Sequence, residues 1–180
     1  VHEIPSIKKE KFEVYPNRDS LPFIDQYEFE SNWKIKRFVR GTLRNIGWKK
    51  AWKEIFQVIE KMNIESDYET LEKLSKELWQ KYSYEEKEKD RVVLNVSLKA
   101  SQDNVLIFDR SYLLDAWGDD NSTAMARLVS IPVALAVEGV LKNKIPFGVS
   151  AAPKTPQIVS EWLDEIKKEA QIFNLINNLE

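Results

Sequence analysis

Two short stretches put guanidinium groups beside chain reversals. "YPNRDS" at 15–20 carries Arg18 between Asn17 and Asp19, directly after the strand-like run "FEVY". "RGTLRN" at 40–45 carries Arg40 and Arg44 around Gly41, Thr42 and Leu43. The planar arginine fork donates two parallel hydrogen bonds to a carboxylate, and loop residues beside a reversal face clefts. Several forks together suit a ligand with several carboxylates. The plain alternative is surface arginines in weak ion pairs with local acids.

Other chemistries lack their parts. The 180 residues contain no cysteine and a single histidine, His2. Disulfides, thiolate zinc sites, a cysteine nucleophile and a Ser-His-Asp triad are therefore excluded within this sequence, and His2 reads as a frayed terminus. Asp109, Asp115, Asp119 and Asp120 lack calcium-loop spacing and suit helix capping better. Tyr15 and Tyr112 carry exchangeable protons, but the sequence singles out neither. Trp48, Trp52 and Trp162 lie on helical stripes and read as packing residues.

The elements that must position the arginines follow from periodicity. "FEVY" (12–15) alternates and runs into Pro16, as a strand entering a turn does. "SLPFIDQYEF" (20–29) reads as a brief helix with Ser20 as cap and Pro22 in its first turn. "KIKRFVR" (34–40) reads as a second strand, with Gly41 permitting a sharp bend. Trp48, Trp52, Ile55, Ile59 and Met62 form one apolar stripe, which predicts a helix over 45–62. Leu71, Leu74, Leu78 and Tyr82 predict another over 67–82. "EEKEKD" (85–90) reads as a solvated loop. Val92, Leu94, Val96 and Leu98 alternate, as do Leu106, Phe108, Arg110 and Tyr112, so the two runs flanking "SQDN" predict a hairpin. A long helix is expected over 118–143, capped by Asn121 or Ser122, kinked by Pro132 and buried on several sides. A last helix starts at Thr155-Pro156, with Ile158, Trp162 and Ile166 as its stripe. The order favours an α+β fold, a mostly antiparallel sheet covered by helices.

Composition fits an ordinary globular protein: 43% of residues are hydrophobic and 31% charged. A net charge of −2 gives no reason to expect nucleic acid or an anionic membrane surface. No run is read as approaching a membrane span and no signal-peptide pattern opens the sequence. The absence of cysteine suits a cytoplasmic setting.

The strings themselves are similar to a known family. "YPNRDS" followed by "RGTLR" resembles the NADP-dependent, glutamate-forming saccharopine dehydrogenases. The resemblance continues through "YSYEEKEKDRVVL" (82–94), "STAMARLVSIPVALAVEGVLKNKI" (122–145) and "GVSAAPKTPQI" (148–158). It departs between about 62 and 82, where many relatives carry a longer helical insertion. The resemblance implies a substrate with three carboxylates, saccharopine, made reversibly from glutamate and 2-aminoadipate 6-semialdehyde in lysine metabolism. It implies that Arg18, Thr42, Leu43 and Arg44 line that substrate, and it gives Arg40 no such role, leaving it either structural or a support behind the residues that touch the ligand. It implies a fold like the C-terminal domain of saccharopine, homoserine and glyceraldehyde-3-phosphate dehydrogenases. Residues 1–120 would form a substrate-binding and dimerisation domain whose start is truncated. Residues 121–180 would form a helical segment that packs against an N-terminal Rossmann domain. No GxGxxG occurs and only five glycines are present, so NADP is expected on that other domain, with none bound to this chain. The expected partners are saccharopine or other amino-acid carboxylates, the Rossmann domain and a second copy in a homodimer. A stand-alone carboxylate-binding or assembly module without catalysis is the alternative.

Overall fold

The computed structural model describes residues 2–3, 10–17, 19–62, 67–146, 148–149 and 152–179. These form two compact units, one of Val1–Asp19 with Val39–Glu88 and one of Ser20–Phe38 with Lys89–Glu180. The chain is α+β, with every described strand pair antiparallel and one three-stranded sheet in each unit. The division after residue 120 implied by the resemblance follows what each part would meet, whereas the units follow packing.

The first unit holds β1 (His2–Glu3), β2 (Lys11–Pro16) and β3 (Gly41–Asn45), in that spatial order. His2 therefore lies in a strand, its backbone paired with Phe12, rather than in a frayed end. Phe12 is the buried residue of β2, and Glu13, Val14 and Tyr15 beside it are half-buried. The register pairs Pro16 with Gly41, Tyr15 with Thr42, Val14 with Leu43, Glu13 with Arg44 and Phe12 with Asn45. The Asn17 N–H donates to the Arg40 carbonyl at 2.9 Å and extends the ladder past Pro16.

The strand expected at 34–40 is not formed, and β3 begins where a bend was expected. The physical reason lies across the ladder. A Cβ on Gly41 would stand 2.5 Å from Val14 Cγ1. The glycine serves close approach between strands, not a left-handed turn. The helix expected over 45–62 also starts later and is divided. Residues up to Asn45 belong to the ladder, and Gly47 turns the chain at φ 94°. Helix α2 (Trp48–Ala51) and helix α3 (Lys53–Glu60) then follow, separated at Trp52. The stripe itself holds: Trp48, Trp52, Ile55, Ile59 and Met62 are half-buried, joined by Phe56, while the other residues of 49–61 face water. Helix α4 (Tyr68–Tyr82) matches its predicted span, with Leu71, Leu74 and Leu78 on its less exposed side.

In the second unit, α1 (Pro22–Gln26) is short and precedes the hairpin of β4 (Arg91–Gln102) and β5 (Val105–Trp117). The connection is Asp103-Asn104, both at positive φ (49° and 64°), which matches the right-handed twist of a tight hairpin. Strand β6 (Ile172–Asn177) pairs with the other edge of β5 and was not foreseen. Leu114, Ala116 and Ala124 form a buried cluster joined by Val92, Leu128, Ile166, Ala170 and Phe173. Helix α5 (Ala124–Leu141) and helix α6 (Pro156–Lys168) thus cover one end of one sheet face. Further along that face Leu94, Val96 and Leu98 stay about half exposed. On the opposite face Asp109 takes Nζ–H from Lys99 and amide N–H from Asn178, and Asp115 is held by Arg91.

Helix α5 starts six residues later than expected, and neither Asn121 nor Ser122 caps it. Asp119 folds residues 119–122 into a turn by accepting the Asn121 and Ser122 N–H groups. Thr123 is the cap, accepting from Ala126 N at 3.1 Å. The Asp90 carboxylate takes the Ala124 and Met125 N–H groups, each at 2.8 Å. Pro132 lies inside the helix without ending it. Burial on several sides is not found: Met125, Val129, Val133, Val137 and Val140 are more than half exposed. By length and composition alone α5 is also long and apolar enough to cross a membrane, contrary to the reading that no run approaches that length. It carries Arg127, whose guanidinium pairs with Asp119 and Glu169 and donates to the Trp117 carbonyl.

Candidate functional site

Strand alternation sorts the predicted residues. Thr42 and Arg44 share a face of the first sheet with Glu13 and Tyr15, the residues opposite them. Leu43 is on the other face with Val14 and Phe12. The sheet therefore brings Thr42 and Arg44 together and turns the Leu43 side chain away, so only the Leu43 backbone remains beside Arg44. Arg18 lies outside the described residues.

Glu13 stands directly across from Arg44 and is its natural counter-ion. It is engaged elsewhere. Its carboxylate accepts the Lys49 N–H at 2.7 Å and the Gly47 N–H at 3.0 Å. Those backbone bonds, that of Lys49 first, hold the Glu13 carboxyl below its ordinary range. Arg44 is exposed and makes no ion pair among the described residues. Its hydrogen bonds there are long: Nη1 to the Leu43 carbonyl and Nη2 to the Tyr15 hydroxyl, both at 3.4 Å. A fixed cation with an unmatched fork is suited to an incoming carboxylate.

An aromatic support stands beside it. The Tyr15 ring stacks on Trp48 at 4.8 Å between centroids and 11° between planes. Trp48 in turn meets Trp52 and Phe56 at 5.5 and 5.3 Å. The Arg44 guanidinium carbon lies 5.7 Å from the Tyr15 centroid. Glu13 pins the Gly47 turn, and that turn delivers Trp48 to Tyr15. Among the described residues no cluster of His, Asp or Glu is arranged to hold a metal ion. Asp109, Asp115 and Asp119 are each committed to a cation or to backbone N–H groups. A shallow concavity in the second unit, near the Lys154–Glu28 ion pair, contains none of the predicted residues.

Residues 1–172 match the family described as the saccharopine dehydrogenase C-terminal domain. The chain belongs to that family. It is also similar to the mitochondrial alpha-aminoadipic semialdehyde synthases of Mus musculus and Rattus norvegicus, each 24% identical over 225 residues. Each alignment takes in 90% of this chain and 24% of the relative, so the chain spans about a quarter of the length of these relatives.

Within this saccharopine dehydrogenase C-terminal domain, sequence reasoning overlooked Glu13 and left Tyr15 undistinguished. A signal was present. Glu13 and Tyr15 alternate in "FEVYP", so once β2 is a strand they must share one face. Trp48 was assigned to packing and does pack, but on the tyrosine that touches Arg44.

Proposed function

We propose that this domain supplies the carboxylate-binding part of an NADP-dependent saccharopine dehydrogenase of lysine metabolism. Such an enzyme interconverts saccharopine with glutamate and 2-aminoadipate 6-semialdehyde. The observation that carries the reading is Arg44, whose cross-strand acid is spent on the Gly47–Lys49 backbone. The guanidinium is thereby left to a ligand. Thr42 on the same face adds a hydroxyl, the Leu43 backbone lies beside it, and Arg18 in the matching first motif serves a second carboxylate of the same substrate.

NADP finds no fitting cradle among the described residues. Their strands are antiparallel, and no Gly-rich turn leads from a strand into a helix N-terminus. We assign the nucleotide to an N-terminal Rossmann domain and expect these 180 residues alone not to bind it. The exposed side of α5 is the surface assigned to that domain. The half-exposed Leu94, Val96 and Leu98 face is assigned to a homodimer. The setting proposed is cytoplasmic, with neither nucleic acid nor membrane as a partner.

Steady-state kinetics on the protein expressed from its complete reading frame test the reading. Losing one member of a buried, hydrogen-bonded charge pair costs about 2–5 kcal/mol. Arg44 is exposed before the ligand arrives, so the lower figure applies, and Arg44→Ala should raise KM for saccharopine by roughly thirtyfold. Arg18→Lys should also raise it, because a point charge cannot replace a fork. Unchanged KM values in both variants overturn the assignment.

A further inference from the structure

We infer that Tyr15 is a positioning residue for Arg44, clamped by Trp48 so that its hydroxyl and ring hold the guanidinium toward the substrate carboxylate. The inference rests on the carboxylate-binding reading of Arg44 and adds a residue to it.

Four observations support it. Tyr15 is paired with Thr42 across the ladder, so its ring emerges beside both residues of the second motif. Trp48 lies nearly parallel to that ring at stacking distance and fixes its plane. The Tyr15 hydroxyl is the only side-chain atom among the described residues that receives a hydrogen bond from Arg44. The ring also lies within cation–π range of the guanidinium. A long, flexible arginine with no acid to hold it samples many rotamers, and a ligand must order it on binding. A phenol held by a stacked indole reduces that cost without neutralising the charge, as an acid would. Glu13 completes the device by keeping the Gly47 turn, and with it Trp48, in place. The contact is long at 3.4 Å, as hydrogen bonds in ligand-free sites often are.

The test is a double-mutant cycle on the complete protein: wild type, Tyr15→Phe, Arg44→Ala and the pair. Tyr15→Phe keeps the stack and removes the hydroxyl. It should raise KM for saccharopine by roughly twelvefold, the low end for a lost hydrogen bond to a charged group. The effect should fall on KM, with kcat and the thermal midpoint held. In the Arg44→Ala background the same change should add nothing. Trp48→Leu, which releases the ring, should reproduce the KM rise. An Arg44→Ala loss beside an unaffected Tyr15→Phe overturns the positioning role alone. Equal factors in both backgrounds show Tyr15 acting independently of Arg44 and overturn it too, as does a fall in kcat at constant KM. If Arg44→Ala itself leaves KM unchanged, the carboxylate reading fails first.

Discussion

Arg91 and Asp115 provide the sharpest energetic test of how the second unit is held. Arg91 Nε and Nη2 each donate to one Asp115 oxygen at 2.8 Å, a fork-on-fork pair across the hairpin. The Asp115 side chain is 6% exposed and that of Arg91 21%. The guanidinium also sits 5.1 Å from the ring centroid of Trp117, its cross-strand neighbour. Arg91→Ala would leave a buried carboxylate without its cation. Breaking such a pair costs about 3–5 kcal/mol, and the partial exposure of Arg91 places the expected loss near 3 kcal/mol. With a urea m-value of about 2 kcal/mol/M, the midpoint of the second unit should fall by roughly 1.5 M. The double variant Arg91→Met/Asp115→Leu removes both charges and should recover most of the loss, to within about 1 kcal/mol of wild type. Urea titrations followed by circular dichroism read both. A loss under about 1 kcal/mol for Arg91→Ala, or a double variant as weak as the single one, would refute the reasoning.

Two further outcomes are expected. Asp90→Ala deletes the acceptor of two α5 N–H groups and should lower stability by about 2 kcal/mol in the same titration, with a loss below 0.5 kcal/mol (roughly the size of an ordinary surface change) counting against the cap. Glu13 has a folded pKa below its ordinary value because it accepts the Lys49 and Gly47 N–H groups. Its contribution is therefore fully present above the unfolded carboxyl pKa, near 4.5, and is lost as pH falls through the lower folded value. Acid unfolding of the first unit should accordingly become less steep in Glu13→Gln over that window; an identical acid profile would contradict the role given to the Glu13 hydrogen bonds.

Local patterns made much of this architecture legible. The stripes of α3, α4 and α6 and the alternation of the hairpin could be read because each rests on neighbours a few residues apart. The two arginine motifs could be named only as candidates from their residue types, and strand pairing then showed that Leu43 cannot point where Thr42 and Arg44 do. What escaped depends on distant pairing. Strand β6 is apolar on both faces, with Ile172 and Ile176 on one and Phe173 and Leu175 on the other, and only its pairing with β5 makes it a strand. Gly41 carries the same letter whether it serves a bend or a close approach, and only Val14 across the ladder decides. The late start of α5 depends on Asp90, far back in the sequence, reaching its first N–H groups. The open side of that helix reflects a composition that this chain's own packing does not use up.

The most direct measurement is a crystal structure of the complete protein with saccharopine bound. The account predicts a ligand carboxylate against the Arg44 fork at about 2.8 Å, with Tyr15 still stacked on Trp48 and Glu13 still on the 47–49 backbone. Arg44 paired instead with Glu13, and the ligand carboxylates held by other residues, would contradict it.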